Sequence, residues 1–280
     1  MNSDAYLARI GYVGGREPNA ANLAALVRAH RLAVPYETLD LWRRRRTTLR
    51  LEEIYDKVVT RRRGGYCFEL NGLFAWLLGD LGYNVREYFG RWLFEETPSP
   101  VPMRRHRVVC VALRGYPNQI VDVGMGLPLM LSPLDFAFDR LQVKDGRRYR
   151  IVRDPTLGAV VEVETAKAWA RLFSFGTEPQ LPIDFEHAHW WCQTHPDSCF
   201  LSGLWVYRPL ANGGAVSISV EENPERPGSG EKATVLAHYD GRGDMTRTVL
   251  RGEAALADAL AAEFGITDRC PGTEPSAPLS

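Results

Sequence analysis

The sequence has few of the features that mark an extracellular or membrane protein. Its five cysteines are an odd number in 280 residues and show no framework spacing, which argues against a disulfide scaffold. No stretch approaches about 18 unbroken apolar residues, and no apolar region follows Asp4 and Arg9 as a secretory signal would need. Basic and acidic residues number 34 each, so no excess positive charge attracts nucleic acid. We expect a cytoplasmic protein with reduced thiols and with neither nucleic acid nor a membrane as its partner.

The chain divides into three parts and a tail. With 45% hydrophobic residues, it is long and apolar enough to bury one or two cores. Residues 1–84 predict mostly helices, and residues 85–190 carry the alternating patterns of strands. Residues 191–269 predict further strands and then a helix over 253–264. The Pro, Gly, Ser and Thr content of 270–280 predicts a disordered tail.

Cys67 lies where a glycine pair, Gly64 and Gly65, ends and a predicted helix begins. Apolar residues recur after it at helical spacing: Leu70, Leu73, Phe74, Leu77 and Leu78. Gly82 then closes the helix. Unpaired N–H groups and the helix dipole favour an anion in the first turn, so a thiol there can titrate below its free value of about 8.5. This segment alone equally allows a cysteine that only packs under a helix start.

Two predicted strands downstream of Cys67 contain a candidate base and a candidate carboxylate. Alternating apolar residues predict one strand over 105–113 and another over 119–124. The connection between them is rich in turn formers, so we predict an antiparallel hairpin. It carries His106 and Asp122, which complete the order Cys, His, Asp that a thiol nucleophile with a base and an orienting group requires.

The register of this hairpin decides whether the two side chains meet. Direct pairing of His106 with Asp122 implies a three-residue loop, 113–115, with Gly115 in the left-handed conformation. A later turn places Asp122 opposite Val111, about 17 Å from His106 at about 3.4 Å per residue. Singly, each residue fits an ordinary strand position. Together with the upstream cysteine, they predict a catalytic triad.

The chain resembles the arylamine N-acetyltransferase family along most of its length. Five stretches carry the resemblance: 6–12, 34–40 (similar to the family's Pro-Phe-Glu-Asn-Leu segment), 62–71, 121–126 and, more weakly, 194–200. The Arg-Gly-Gly-x-Cys run that ends at Cys67 is the most specific of them.

The resemblance implies both an architecture and a reaction. The fold class would be α+β, with an N-terminal helical bundle, a central antiparallel β-barrel and a C-terminal α/β lid, the papain-like cysteine-triad architecture. The reaction would be a ping-pong transfer of acetyl from acetyl-CoA, through a thioester on Cys67, to an arylamine, a hydrazine or an N-hydroxyarylamine oxygen. His106 would act as acid and base, and Asp122 would fix its tautomer. No metal is implied, and the protein would be a monomer or a homodimer.

The predicted acceptor pocket departs from the family pattern. Tyr36 stands where the family has phenylalanine, Trp92 where it has a small aliphatic residue, and Met125 where it has phenylalanine. Gly126, Phe200 and Arg105 complete the expected substrate-binding set. These exchanges would alter the width and polarity of the pocket, so the resemblance does not establish the acceptor preference.

Arg105 stands where threonine is common, directly before His106. A fixed positive charge there would lower the basicity of the imidazole. We expect Arg105 to meet an anion, either a coenzyme phosphate or an acidic acyl group.

Other functions remain open at this stage. Five residues within 13 positions suggest zinc but match no standard spacing, so we expect no metal and packing at a domain junction instead: His187, His189, Cys192, His195 and Cys199. The same triad chemistry serves thiol hydrolases and amide synthases, and an inactive binding protein is a further alternative. Exclusion of water by the lid and by Trp92 favours transfer over hydrolysis.

Overall fold

The computed structural model describes residues 1–94, 101–126, 130–242 and 244–267. The predicted tail, 270–280, lies outside the described residues. The helices are α1 (Ser3–Arg9), α2 (Ala20–Ala33), α3 (Leu39–Trp42), α4 (Leu51–Tyr55), α5 (Cys67–Asp80), α6 (Glu186–Thr194), α7 (Cys199–Ser202) and α8 (Gly252–Phe264). The strands are β1 (Tyr36–Glu37), β2 (Asn84–Trp92), β3 (His106–Ala112), β4 (Gln119–Val121), β5 (Leu134–Asp135), β6 (Gln142–Lys144), β7 (Arg147–Asp154), β8 (Gly158–Glu164), β9 (Trp169–Phe175), β10 (Trp205–Pro209), β11 (Ala215–Glu222), β12 (Lys232–Tyr239) and β13 (Met245–Leu250).

The first four helices pack around the fifth, α5, which is apolar on most of its surface and almost entirely buried. The largest core joins α5 to the outer face of β3, through contacts that include Leu73, Leu77, Val109 and Val111. As predicted, Gly82 follows the helix end with a φ of 85°. Helix α5 is therefore fixed between the other helices and the sheet.

Eight antiparallel strands form a nearly closed barrel in the order β5-β4-β3-β2-β9-β8-β7-β6. No backbone ladder joins β5 to β6 among the described residues, but the side chain of Gln142 spans the gap. Its amide accepts the Asp135 N–H at 2.7 Å and donates to the Asp135 carbonyl at 2.8 Å. A side-chain amide thus reproduces the two hydrogen bonds that a neighbouring strand would make.

The second sheet has the order β1-β10-β11-β12-β13 and is also antiparallel. α8 covers it with Leu256, Leu260 and Phe264, which pack in one cluster with Val206 and Ile218. The predicted α+β class, with a helical bundle, an antiparallel barrel and a C-terminal α/β layer, is confirmed. Within the described ranges we find no helix with the length and hydropathy of a membrane span.

The hairpin between β3 and β4 has a register that the sequence analysis did not predict. Val109 pairs with Val121, and continuing this register places Asp122 opposite Val108. Both predicted registers are therefore wrong. The loop has six residues, 113–118, although Gly115 does adopt the left-handed conformation that we expected, with a φ of 79°.

The observed register still serves the predicted pair. Val108 and His106 are two residues apart, so their side chains lie on the same face of β3. Asp122 follows the last residue of β4 and is the diagonal neighbour of His106, a position from which long side chains make contact. Compared with the predicted direct pairing, the longer loop shifts Asp122 by two residues along β3. Because the shift is two residues, Asp122 stays on the same face of the sheet as His106.

Candidate active site

Cys67 is the first residue of α5, and it is 4% exposed. The glycine pair before it is required by close packing. A Cβ on Gly64 would lie 2.0 Å from the Pro35 carbonyl oxygen, and one on Gly65 would lie 2.9 Å from a Glu69 carboxylate oxygen. That carboxylate accepts the N–H of Tyr66 at 3.0 Å and so caps the helix that carries the thiol.

His106 and Asp122 meet inside the protein. The Nε2 of His106 donates to Oδ2 of Asp122 over 2.6 Å, which leaves Nδ1 as the ring nitrogen that can serve the thiol. The imidazole also acts directly on the Cys67 thiol, since each of the two groups shifts the pKa of the other. Both members of the histidine–aspartate pair are at most 3% exposed. The three predicted residues therefore lie together, with the imidazole between the thiol and the carboxylate.

Asn71 supports this arrangement and was not predicted. It lies one helical turn after Cys67 on the same face of α5. Its Nδ2 donates to Oδ1 of Asp122 at 2.9 Å, while its Oδ1 accepts the N–H groups of Val123 and Gly124 at 2.8 and 3.2 Å. One buried amide therefore orients the aspartate and ties the loop after β4 to the catalytic helix. The i, i+4 spacing from Cys67 was a signal that could have identified it.

Gly124 allows this loop to approach the thiol closely. A Cβ at this position would lie 2.6 Å from the Cα of Cys67 and 3.0 Å from its carbonyl oxygen. The N–H of Gly124 also donates to Oδ1 of Asp122 at 2.9 Å. Gly124 is therefore needed because a side chain at this position would collide with the backbone of Cys67.

Burial and pairing set the protonation of the thiol and the imidazole. Burial raises the pKa of the Cys67 thiol, and the hydrogen bond and charge of His106 oppose this. Burial would lower the pKa of His106, but the charge and hydrogen bond of Asp122, together with Cys67, raise it to about 10. We expected a thiol in the first turn of the helix to have a pKa below its free value, but the net direction is upward, because burial is the largest effect. The acidity of the thiol depends on the imidazole.

A pocket of about 370 Å³ opens onto the triad. Its lining combines aromatic rings, thiols, two glycines, an arginine and the triad imidazole: Tyr36, Cys67, Trp92, Phe94, Arg105, His106, Gly124, Gly126, Cys199, Phe200 and Trp205. Five of the six predicted substrate-binding residues are in this lining. Phe94, Cys199 and Trp205 were missed, because two of them come from the third part of the chain and no local pattern singles them out.

Met125 is the predicted pocket residue that the structure places elsewhere. It is fully buried, and its side chain packs in the barrel core with Val108 and Tyr149. Its carbonyl oxygen accepts a hydrogen bond from Arg31 of α2. Gly126, the next residue, is in the pocket lining instead. Met125 therefore does not belong to the pocket wall.

Arg105 extends from the strand start across the pocket wall. Its carbonyl oxygen lies 3.7 Å from the Sγ of Cys67. Its Nη1 lies 3.6 Å from the Sγ of Cys199, and its guanidinium carbon lies 5.8 Å from the centroid of the Phe200 ring. The predicted lowering of the His106 pKa by Arg105 is not observed, because Asp122 dominates and the net direction is upward.

Beneath the helix start lies a buried ionic cluster, here called the Lys57 network. It consists of two cations and three carboxylates: Glu37, Asp40, Lys57, Arg63 and Glu69. The Nζ of Lys57 lies 3.0 Å from Glu69 and 2.8 Å from Asp40, and Arg63 lies 2.7 Å from Glu37. Burial would raise the pKa of Asp40, but the charges of Lys57 and Arg63 hold it well below its usual range.

The residues considered for zinc are used in packing. His189 contacts the hydroxyl of Tyr66 through Nδ1 and the carbonyl of Thr47 through Nε2, and His195 stacks on Trp191. Among the described residues, no group of three or more histidine, cysteine, aspartate or glutamate side chains is arranged to hold a metal ion. Packing at a junction, the expected alternative, describes the contacts of α6.

Comparison with known proteins identifies the class of molecule that this geometry defines. A family model described as N-acetyltransferase matches residues 19–266. An arylamine N-acetyltransferase of Mycolicibacterium smegmatis is 38% identical over 213 residues, which cover 74% of this chain and 76% of that protein. One of Mycobacterium bovis is 33% identical over 269 residues, covering 95% of this chain and 89% of that protein.

Solved structures agree with the sequence matches. The structure of Mycobacterium marinum arylamine N-acetyltransferase in complex with CoA is similar with a TM-score of 0.82 at 31% identity, and the match covers 95% of this chain and 93% of that one. The chain belongs to the arylamine N-acetyltransferase family, so the resemblance noted in the sequence is confirmed. The protein is an acetyltransferase enzyme.

Proposed function

We propose that the enzyme transfers an acetyl group from acetyl-CoA to an arylamine or hydrazine by a ping-pong mechanism through a thioester on Cys67. The observation that carries the proposal is the arrangement of four side chains beside an aromatic-lined pocket. Hydrogen bonds join Asn71 to Asp122 and Asp122 to His106, and the imidazole of His106 lowers the pKa of the Cys67 thiol. A relative of the same fold has been solved in complex with CoA, which supports CoA as the acyl carrier here.

In the first half-reaction, the Cys67 thiolate attacks the thioester carbonyl carbon of acetyl-CoA. A bond forms between Sγ and this carbon, and the bond to the coenzyme sulfur breaks. His106, which stays protonated at neutral pH because its pKa is raised to about 10, gives its proton to the leaving coenzyme thiolate. The negative oxygen of the intermediate needs donors, and the first-turn N–H groups of α5 are our candidates.

In the second half-reaction, the amine nitrogen attacks the carbonyl carbon of the Cys67 thioester. The imidazole, neutral after the first step, takes a proton from the nitrogen as the carbon–nitrogen bond forms. The carbon–sulfur bond then breaks and restores the thiolate beside the imidazolium. Asp122 holds Nε2 throughout at 2.6 Å, so Nδ1 remains the nitrogen that exchanges the proton.

Incubation with acetyl-CoA followed by intact-mass measurement tests this proposal. We expect one acetyl adduct that maps to Cys67, is absent in Cys67→Ala, persists in the control Cys199→Ser, and is discharged by 4-methylaniline with formation of the amide. An adduct on another cysteine would overturn the assignment. Rapid loss of the adduct without amine would instead indicate a thiol hydrolase, and discharge only by a carrier-bound amine would indicate an amide synthase.

We also propose that the enzyme works in the cytoplasm and that the parts 1–84, 85–190 and 191–269 act as helical bundle, barrel and lid. Supporting the first point, four cysteines in the described part of the chain are free thiols: Cys67, Cys110, Cys192 and Cys199. A thiol nucleophile needs a reducing compartment. Separation of soluble and membrane fractions, with the redox state of Cys67 trapped by alkylation, tests the location.

A further inference from the structure

Arg105 brings a permanent positive charge to a pocket wall that is otherwise mainly aromatic. Its main chain touches the nucleophile, since its carbonyl oxygen lies 3.7 Å from the Sγ of Cys67. Its side chain runs along the wall to Cys199 and to the ring of Phe200. The charge therefore lies on the surface against which a flat substrate ring packs.

Aromatic walls and charges select substrates by different properties. Ring contacts with residues such as Trp92 and Phe200 depend on shape and apolar area, and they hardly distinguish a neutral ring substituent from an ionised one of equal size. A guanidinium distinguishes them strongly, because its planar fork matches a carboxylate with two parallel hydrogen bonds. The charge of Arg105 already acts on the pocket: it opposes the effect of burial, which raises the pKa of both Tyr36 and Cys192.

We propose that Arg105 is a specificity-determining residue that binds a carboxylate on the ring of the acceptor amine, so that the enzyme prefers anionic arylamines. This inference rests on the proposed acetyl transfer to arylamines. The same chemistry would recognise a carboxylate on the acyl group or a phosphate of the coenzyme. We assign the acceptor because the guanidinium lies against Phe200, among the aromatic residues that would hold an aromatic ring.

The test compares 4-aminobenzoate with 4-aminobenzamide, a neutral amine of nearly the same shape, using the full-length enzyme and acetyl-CoA. In Arg105→Gln we expect the ratio of kcat/KM for benzoate over benzamide to fall at least about tenfold, equivalent to about 1.4 kcal/mol. Arg105→Lys should restore part of the ratio. Arg104→Gln is the matched control, because it removes the same charge from the exposed neighbouring residue, and its ratio should stay at the wild-type value.

Two further measurements separate the possible sources of the anion. The rates at which malonyl-CoA and propionyl-CoA acylate Cys67 are followed by intact mass, together with the KM for acetyl-CoA. A change in Arg105→Gln confined to malonyl-CoA, or to the acetyl-CoA KM, overturns the acceptor assignment. An equal loss of kcat/KM for both amines in Arg105→Gln also overturns the assignment, because it indicates that Arg105 has only a structural role.

Failure of this inference is distinguishable from failure of the proposed function. If the wild-type enzyme forms no thioester on Cys67, or transfers acetyl to neither amine, the proposed function fails. If it acetylates both amines and the ratio is the same in the wild type, Arg105→Gln and Arg104→Gln, only the role of Arg105 fails.

Discussion

The two residues of β1 face two regions of opposite character. Glu37 belongs to the buried Lys57 network, in which each carboxylate has a cation within 4 Å. Tyr36 lines the pocket, whose wall consists largely of aromatic rings with few hydrogen bonds between them. Adjacent strand residues point to opposite sides, so one short strand separates the support of the catalytic helix from the substrate surface.

The difference shows which region is fixed and which is adjustable. Charged pairs in a buried network depend on one another, since removing one member leaves another charge unpaired in a low-dielectric interior. Ring contacts lose only area and shape when one residue changes. The network residues Glu37, Lys57 and Glu69 lie in stretches that resemble the family or directly beside them, whereas Tyr36 and Trp92 depart from it. We therefore expect substitutions that alter selectivity to cost little stability on the pocket side of Cys67.

The largest expected effect comes from breaking the Lys57 network. Lys57→Met removes the cation that lies between Glu69 and Asp40, and we expect a loss of about 3–5 kcal/mol in the free energy of unfolding. Denaturant unfolding measures it. Arg61→Met is the control, because its ion pair with Asp56 is about half exposed on both sides and should contribute less than about 1 kcal/mol. Equal losses in both variants would contradict the distinction between the network and the surface.

The next effect concerns the contact between the loop and the thiol. Gly124→Ala places a methyl group 2.6 Å from the Cα of Cys67, so the loop that carries Asp122 must move. A displacement of this kind can cost about a hundredfold in rate, and we expect that loss in the acetylation rate of Cys67 measured by intact mass. Gly79→Ala on α5 meets no atom within 4 Å and should leave the rate unchanged while stabilising the helix by up to about 1 kcal/mol. If Gly124→Ala acetylates Cys67 at the wild-type rate, the close contact between this loop and Cys67 is not needed for the reaction.

The features that the sequence predicted are those encoded locally. The helix at Cys67 follows from a glycine pair and a regular apolar spacing, and β3 follows from a short apolar run rich in valine after His106. Neither depends on distant contacts. The left-handed Gly115 is similarly local, because few other residues accept that backbone conformation.

The features that the sequence did not predict depend on how distant segments pack. The register of β3 and β4 is fixed by pairing across a six-residue loop, and several loop lengths suit the same turn formers. Met125 was assigned to the pocket, although its side chain packs in the barrel core. Cys199 and Trp205 reach the pocket from more than 90 residues beyond His106, a distance over which no periodic pattern carries information.

The dependence of the thiol on the imidazole gives a pH prediction of intermediate size. His106 lowers the pKa of Cys67, which burial raises, so His106→Gln should raise the thiol pKa further and slow alkylation by iodoacetamide at pH 7. One pKa unit corresponds to about a tenfold change, and we expect at least that. In the wild type a second inflection should appear near pH 10, where the imidazolium loses its proton. His106→Gln should lack it. The same neutral-pH rate in both proteins would show that the thiol does not need the imidazole.

The smallest effect is expected on the aromatic side of the comparison. Trp92 is half-buried and contacts the edge of His106 with ring centroids 5.8 Å apart. Trp92→Leu widens the pocket while keeping an apolar wall, so kcat/KM for bulky bicyclic amines should rise about threefold relative to 4-methylaniline. This is less than the roughly tenfold or more that one methylene contributes in a closely fitting hydrophobic pocket. The acetylation rate of Cys67 should change less than twofold, since no hydrogen bond of the triad is touched. If that rate instead falls tenfold, Trp92 supports the imidazole, and the pocket wall is then as essential to the chemistry as the network on the other side of β1.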